Sequence, residues 1–260
     1  MRILVTNDDG AYAPGLRALY RALKRLGERW VVAPAEEQSG VGHSITIKAP
    51  LLVEEVYEED EFIGWAVEGS PADCVKLACL ELLDPGPDVV VSGINAGYNA
   101  GINVLYSGTV AAAIEGAYLG RTAFAVSMAY ASRPDYPLAA DLAVSLIEAI
   151  LAERPAAGSL FNINIPDLSG GLPQGVRIVR QSTSRFDESF ERRVDPRGRT
   201  YFWPSPELVI PQEDMETDLG ALKAGYVTVT PLRFDLTEHD ALRSCKAWEE
   251  RLGRCIPHEC

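Results

Sequence analysis

Two neighbouring carboxylates, Asp8 and Asp9, follow the first apolar run of the chain, Ile3-Leu4-Val5-Thr6. Adjacent aspartates repel, and holding them together is costly unless a cation or a proton is present. Hard divalent ions such as Mg2+ take oxygen ligands and retain several waters. Two carboxylates roughly cancel such a charge, and a Ser39 hydroxyl with an Asn95 amide oxygen would complete a half-hydrated site. The open positions would stay available to water and to a phosphate oxygen. Ser107-Gly108-Thr109 stands directly before an Ala-rich stretch that reads as a helix. A helix N-terminus offers unpaired N–H groups and a positive dipole, so it favours phosphate. Gly108 lets the backbone approach closely, and the two hydroxyls can donate. The chemistry these residues suit is metal-assisted hydrolysis of a phosphomonoester.

Each residue also has a plainer reading. Asn7-Asp8-Asp9-Gly10 is turn-forming in composition, Ser39 alone is a loop serine, and Asn95 alone is a loop residue bonded to backbone. Ser107 and Thr109 are ordinary helix caps, and His43 reads as structural before it reads as a donor to substrate. Their joint placement after strand ends favours the chemical reading. No Gly-Lys-Ser/Thr closes a Walker A loop and no GxGxxG fingerprint is present, which sets nicotinamide chemistry aside.

The elements that must position these residues alternate between strand and helix. Ile3–Thr6, Trp30–Ala33, Asp88–Ser92, Phe124–Met128 and Leu160–Ile165 read as buried strands. Gly15–Leu26, a helix starting at the Ser70-Pro71-Ala72-Asp73 capping box, Thr109–Leu119 and Pro137–Arg154 read as helices. Between them, Ser44–Lys48, Leu51–Val56 and Phe62–Val67 read as short antiparallel strands. The alternation predicts an α/β, Rossmann-like, three-layer α/β/α core with a mostly parallel sheet over residues 1–165. In such a sheet ligands bind beyond the carboxyl ends of the strands, which puts Asp8, Ser39, Asn95 and Ser107 on one rim. After Pro166 the texture changes to Gly/Pro-rich and then Arg-rich segments. Thr200–Trp203 and Tyr226–Thr230 are strand-like, and Asp240–Leu252 is helical. Residues 166–260 read as a C-terminal β-hairpin and helix extension used for oligomerisation.

The formal net charge is −13, which argues against duplex nucleic acid and anionic membrane as partners. No run approaches the roughly 20 apolar residues of a membrane span, and the N-terminal apolar run is too short for a signal-peptide core. The five cysteines, Cys74, Cys79, Cys245, Cys255 and Cys260, form no CxxC pair and read as reduced thiols. The expected location is the cytoplasm.

Several motifs, in order, resemble the survival protein E (SurE) family. They are Asn7-Asp8-Asp9-Gly10, Gln38-Ser39-Gly40, Gly69-Ser70-Pro71-Ala72-Asp73-Cys74-Val75, Ser92-Gly93-Ile94-Asn95-Ala96-Gly97 and Tyr106-Ser107-Gly108-Thr109-Val110. Asp195-Pro196-Arg197-Gly198-Arg199 and Gly225-Tyr226-Val227-Thr228-Val229-Thr230-Pro231-Leu232 extend the resemblance to about residue 240. The resemblance implies a Rossmann-like fold whose C-terminal extension builds homodimers or homotetramers. It implies 5′/3′-nucleotidase activity on nucleoside monophosphates, in some members with cleavage of polyphosphate. One Mg2+ or Mn2+ per subunit is implied, on Asp8, Asp9, Ser39 and Asn95. The match departs at Ile102-Asn103-Val104, where members often carry an acidic residue.

The catalytic residues expected are Asp8 and Asp9. Asn7, Gly40, Asn99, Ser107, Gly108 and Thr109 are expected to bind substrate. Water attacks in line, held by the cation or oriented by an aspartate, Asp8 first; a covalent aspartyl-phosphate is the rival route. A non-catalytic nucleotide- or metal-binding regulatory protein is the alternative function.

Overall fold

Strand β1 (Arg2–Thr6) buries Ile3 and Val5 on one face and Leu4 on the other, as a strand covered on both sides must. A computed structural model describes residues 1–186, 189–204 and 214–256. The chain continues through α1 (Pro14–Ala22), β2 (Glu28–Pro34), β3 (Val53–Glu58), β4 (Glu61–Val67), α2 (Pro71–Leu77) and β5 (Val89–Ala96). Next come α3 (Asn103–Tyr106), α4 (Gly108–Tyr118), β6 (Thr122–Met128), α5 (Tyr136–Ala152) and β7 (Leu160–Ile165). Beyond residue 165 lie β8 (Val176–Ile178), β9 (Phe190–Val194), β10 (Thr200–Pro204), α6 (Asp218–Lys223), β11 (Val227–Leu232), α7 (His239–Cys245) and α8 (Glu249–Gly253).

Among the described residues one sheet of nine strands runs in the order β3-β4-β2-β1-β5-β6-β7-β11-β8. The six strands from β4 to β7 are parallel, and β3 and β11 are antiparallel to their neighbours β4 and β7. Helices α1 and α5 pack on the Ile3 and Val5 face through Leu16, Leu19, Ala143 and Ile147. Helices α2 and α4 cover the Leu4 face through Val75, Val110 and Ala113. This is the expected Rossmann-like three-layer architecture. Small residues bring α4 close to the sheet: a Cβ on Gly116 would stand 2.8 Å from the Val90 side chain. Strand order reverses where β1 meets β2 on one side and β5 on the other, so the ligand crevice lies at the carboxyl ends of β1 and β5.

Several boundaries differ from the sequence reading. Strand β5 does not stop at Ser92 but runs on to Ala96 with its register shifted between Ser92 and Asn95. Gly93 makes this possible, with φ +134° and the Val126 carbonyl oxygen 2.2 Å from where a Cβ would sit. The first helix tightens after Ala22 and ends by Arg25. The C-terminal helix is broken into α7 and α8 by a tight turn at Lys246–Trp248. Part of the stretch after residue 165 completes the main sheet, with β11 paired to β7 and β8 to β11. The hairpin β9–β10 stands apart as a second, two-stranded sheet. Cys260 lies outside the described residues.

Ser44–Lys48 is not a strand. Its backbone is claimed by the start of α2 instead. The Asp73 carboxylate accepts from the Thr46 backbone N–H at 3.0 Å and from its hydroxyl at 2.7 Å, while the Ser70 hydroxyl donates to the Ser44 carbonyl at 2.7 Å. The same two side chains form the capping box of α2. Burial pushes the Asp73 pKa up, but the bonds from Thr46 and Ser70 outweigh it and hold the carboxyl below its ordinary value. Asp73→Ala is therefore expected to cost about 2 kcal/mol, combining a lost cap with an unpaired buried N–H. Because the folded pKa is depressed, the stabilisation holds at neutral pH and disappears as pH falls through the acid range. Urea unfolding at neutral and acid pH checks this: wild type and variant should converge toward low pH.

Candidate functional site

The turn after β1 is set by its own residues. Asn7 is fully buried and its amide N–H donates to the Gly10 carbonyl at 3.0 Å. Gly10 takes φ +103°, a conformation that favours glycine. The turn is fastened to the end of β2 by Ala11 N–H to the Pro34 carbonyl at 2.9 Å, and to the next loop by Gln38 N–H to the Asp8 carbonyl at 2.8 Å. The second bond brings the Ser39 loop against the aspartates.

Asp8 is buried against the first turn of α4. The Thr109 hydroxyl donates to Asp8 Oδ1 at 2.5 Å. A Cβ on Gly108 would stand 2.7 Å from the Asp8 Cβ, so only glycine allows this approach. The Ser107 hydroxyl accepts from the Val110 N–H at 3.0 Å and caps the helix, which leaves its own O–H to donate. The Thr109 hydroxyl hydrogen is engaged by Asp8, so it fixes the carboxylate rather than offering a donor.

Among the described residues nothing cationic answers the two aspartates. No ion pair among the described residues involves Asp8 or Asp9. Burial pushes the Asp8 pKa up, partly offset by the Thr109 bonds. Burial, then the charges of Asp8 and Glu37, push Asp9 up to about 6. Among the described residues no three His, Cys, Asp or Glu side chains converge to hold an ion, so a cation at this pair must draw on neutral oxygens. Each of the two neutral candidates makes a hydrogen bond as donor. The Ser39 hydroxyl donates to Glu37 at 2.5 Å, and the Asn95 amide nitrogen donates to the Gly97 carbonyl at 2.8 Å. Each keeps an oxygen for a ligand, and a hard divalent cation suits that donor set.

The family model described as Survival protein SurE matches residues 3–188. The chain belongs to this family. A protein named 5′-nucleotidase SurE from Rhodopirellula baltica is 49% identical over 255 residues, covering 96% of this chain and all of the relative. Another so named, from Desulforudis audaxviator, is 46% identical over 253 residues, covering 95% of this chain and 97% of the relative. The crystal structure of the SurE protein from Aquifex aeolicus superposes with a TM-score of 0.85 at 37% identity, covering 96% of this chain and all of that one.

Within this SurE-family chain the remaining expected residues divide. Gly40, at φ +71°, has nothing within 4 Å of where a Cβ would be, so its backbone is open to a ligand. Asn99 turns inward: its backbone N–H donates to Asn164 at 2.9 Å and its side chain to the Ser127 hydroxyl at 2.8 Å. His43 pairs with the buried Glu115 at 3.0 Å, and Lys76 stands 3.5 Å from the same carboxylate. Sequence reasoning missed Glu37, Glu115, Asn162, Asn164 and Asp218. Asn162 and Asn164 were visible as two polar residues on one face of an apolar strand, and both donate to the Asn99 carbonyl. Asp218, fully buried, accepts from the Gly101 N–H at 2.9 Å.

The raised Asp9 pKa has a stability consequence. The folded chain holds that proton more tightly than the unfolded chain does. In the metal-free protein the Asp9 contribution is therefore greatest at low pH and is lost as pH rises through about 6. A divalent cation reverses the trend, since only the ionised pair binds it. Saturating Mn2+ is expected to raise the melting temperature over that in chelator by roughly 5–10 °C near pH 7.5, and hardly at all near pH 4.5. An equal shift at both pH values would contradict a site built on these carboxylates.

Proposed function

We propose that this chain is a divalent-metal-dependent 5′-nucleotidase, hydrolysing nucleoside monophosphates to nucleoside and phosphate. The observation that carries the reading is the uncompensated Asp8–Asp9 pair seated against the N-terminus of α4. Carboxylates at an anion-binding helix end suit a site that would hold a divalent cation next to a phosphate. Asp8, Asp9, Ser39 and Asn95 would hold one Mg2+ or Mn2+. When bound, the cation polarises the phosphoryl group and offsets the charge that develops on it.

The chain's own residues do the rest. The Ser107 O–H and the Gly108 N–H at the start of α4 would donate to phosphate oxygens, and Gly108 and Gly40 let backbone approach. Thr109 locks the rotamer of Asp8. Asp8, fixed beside the start of α4, would orient the attacking water and take its proton. Asn7 and Asn99 hold the substrate loops in shape, Asn7 through Gly10 and Asn99 through Ser127 and Asn164.

We assign the catalytic machinery to residues 1–165 and assembly to residues 166–260, with β8 and β11 of the latter completing the catalytic sheet. Hairpin β9–β10 exposes Phe190, Val194, Tyr201, Phe202 and Trp203, and an isolated hairpin is marginal in water. A second copy of the chain is the partner that covers it, in a homodimer or homotetramer. Among the described residues no helix is long and apolar enough to cross a membrane. The acidic charge and the unpaired thiols of Cys74, Cys79, Cys245 and Cys255 support a cytoplasmic enzyme that binds neither membrane nor duplex nucleic acid.

Phosphate release from AMP or GMP, with Mn2+ and then with chelator, tests the activity. Asp8→Asn should lower kcat by at least roughly a thousandfold while circular dichroism stays unchanged. Binding of metal and nucleotide without phosphate release would favour the non-catalytic alternative. Light scattering should give two or four chain masses, and Trp203→Ser should shift the population toward the monomer; a wild-type monomer would contradict the assembly role.

A further inference from the structure

Ser39 stands on a loop that packing does not hold. None of residues 35–50 is buried, and none belongs to a helix or strand. The loop backbone takes its shape from polar tethers instead. Two near Ser39 are backbone bonds, from the Gln38 N–H to the Asp8 carbonyl at 2.8 Å and from the Gly42 N–H to the Tyr106 carbonyl at 3.1 Å. A third is a side chain: His43 Nε2 lies 3.0 Å from Glu115 Oε2 on helix α4. The Ser39 hydroxyl itself bonds within the loop, to Glu37.

Glu115 is a firm anchor for that side chain. It is 4% exposed, and Lys76 of α2 stands 3.5 Å from its other oxygen. Burial pushes the Glu115 pKa up, but the bond from His43 and the charge of Lys76 outweigh it and hold the carboxyl below its ordinary value. An ionised carboxylate only accepts, so the His43 Nε2–H donates. A hydrogen bond to an ionised acceptor is roughly twice as strong as one between neutral groups.

The same helix also fixes Asp8, through the Thr109 hydroxyl at its first turn. Glu115 follows six residues later, about 9 Å along the helix axis. Between and beyond them Val110, Ala112, Ala113 and Ala117 are buried against the sheet, so α4 is held as one rigid piece. One end of it grips an aspartate, and its middle grips the loop that carries Ser39.

We infer that His43 and Glu115 are positioning residues for the cation: their bond clamps the Ser39 loop to α4 and so sets the spacing between the Ser39 and Asp8 oxygens. The inference rests on the reading that Asp8, Asp9, Ser39 and Asn95 hold a divalent ion, and adds what keeps one of those ligands in place. Titration of the nucleotide-free protein with Mn2+, followed by the EPR signal of the free ion, tests it. His43→Ala should weaken Mn2+ binding roughly tenfold. His43→Gln, whose amide nitrogen reaches about the position of Nε2, should restore it. Glu115→Leu removes the acceptor without stranding a charge and should weaken binding to a similar degree. In a Ser39→Ala background His43→Ala should have no further effect, because the clamp acts through Ser39. Equal Mn2+ affinity in wild type and His43→Ala would overturn the inference, as would losses that multiply in the double variant. A raised KM for AMP with unchanged Mn2+ affinity would make His43 a substrate contact and also overturn it. Hydrogen exchange on the metal-free proteins gives a second readout: amides of residues 39–43 should exchange faster in His43→Ala while those of β1 and β5 do not. Faster exchange throughout the variant would reduce the pair to general stability and sink the positioning role. A wild type that binds no Mn2+ would refute the metal site itself and the clamp with it, a result distinct from a wild type that binds Mn2+ and is indifferent to His43.

Discussion

Like charge without a counter-charge is the constraint around which this molecule is arranged. Asp8 is buried, Asp9 half-buried beside it, and Glu37 adds to the field on both. Two unit charges 4 Å apart repel by about 4 kcal/mol in a medium of intermediate polarity. The dipole of α4, equivalent to roughly half a charge at its N-terminus, offsets only a fraction. The surrounding polar groups do not supply the missing positive charge. The Ser39 hydroxyl donates to Glu37 and the Asn95 amide donates to the Gly97 carbonyl, and each keeps an oxygen as acceptor. Carboxylates so placed are stabilised by a proton, as at Asp9, pushed up to about 6, or by an added cation.

Holding those oxygens in place falls to groups outside the site. The Ser39 loop is tied at its start by Gln38 to Asp8, in its middle by Gly42 to the Tyr106 carbonyl, and at its end by Ser70 and Asp73. The loop after β5 is tied by Asn162 and Asn164 at Asn99 and by Asp218 and Gln181 at Gly101. Ordering each backbone residue costs about 1–2 kcal/mol. Buried polar side chains with satisfied bonds offset that cost while specifying one loop shape. The support is polar because a loop backbone presents unpaired N–H and carbonyl groups, which apolar packing cannot satisfy.

This division explains what was legible in the sequence. The alternation of faces in β1, the Ala-rich run of α4 and the capping box at Ser70 are local signals, and each became the expected element. The contacts of Asp8 with the Ser39 loop, through Gln38, and with the start of α4, through Gly108 and Thr109, also follow from strand ends that share one rim of a parallel sheet. The supports were not, since their partners are distant in sequence. Ser44-Ile45-Thr46-Ile47-Lys48 has the alternation and β-branching of a strand, but a carboxylate 27 residues away offers Thr46 a charged acceptor that a neutral ladder cannot match. Thr109 looked like a cap and a phosphate donor; its bond to Asp8 spans 101 residues. Asp218 reaches Gly101 across 117.

The region after residue 165 divides along the same physical line. Helix α6 and strand β11 bury Leu219, Leu222, Val227 and Val229 and belong to the core. Hairpin β9–β10 and helices α7 and α8 have no buried residue, so hydrophobic burial within the chain does not hold them. The hairpin nevertheless has its shape written locally: the Asp195 carboxylate accepts from the Arg197 and Arg199 backbone N–H groups and from the Arg199 side chain across its turn. A turn defined by its own residues leaves less conformational entropy to be lost on association. In the proposed assembly its apolar side chains would therefore meet a second copy largely pre-arranged, and a docking surface formed this way would strengthen association without drawing on the core that positions the aspartates.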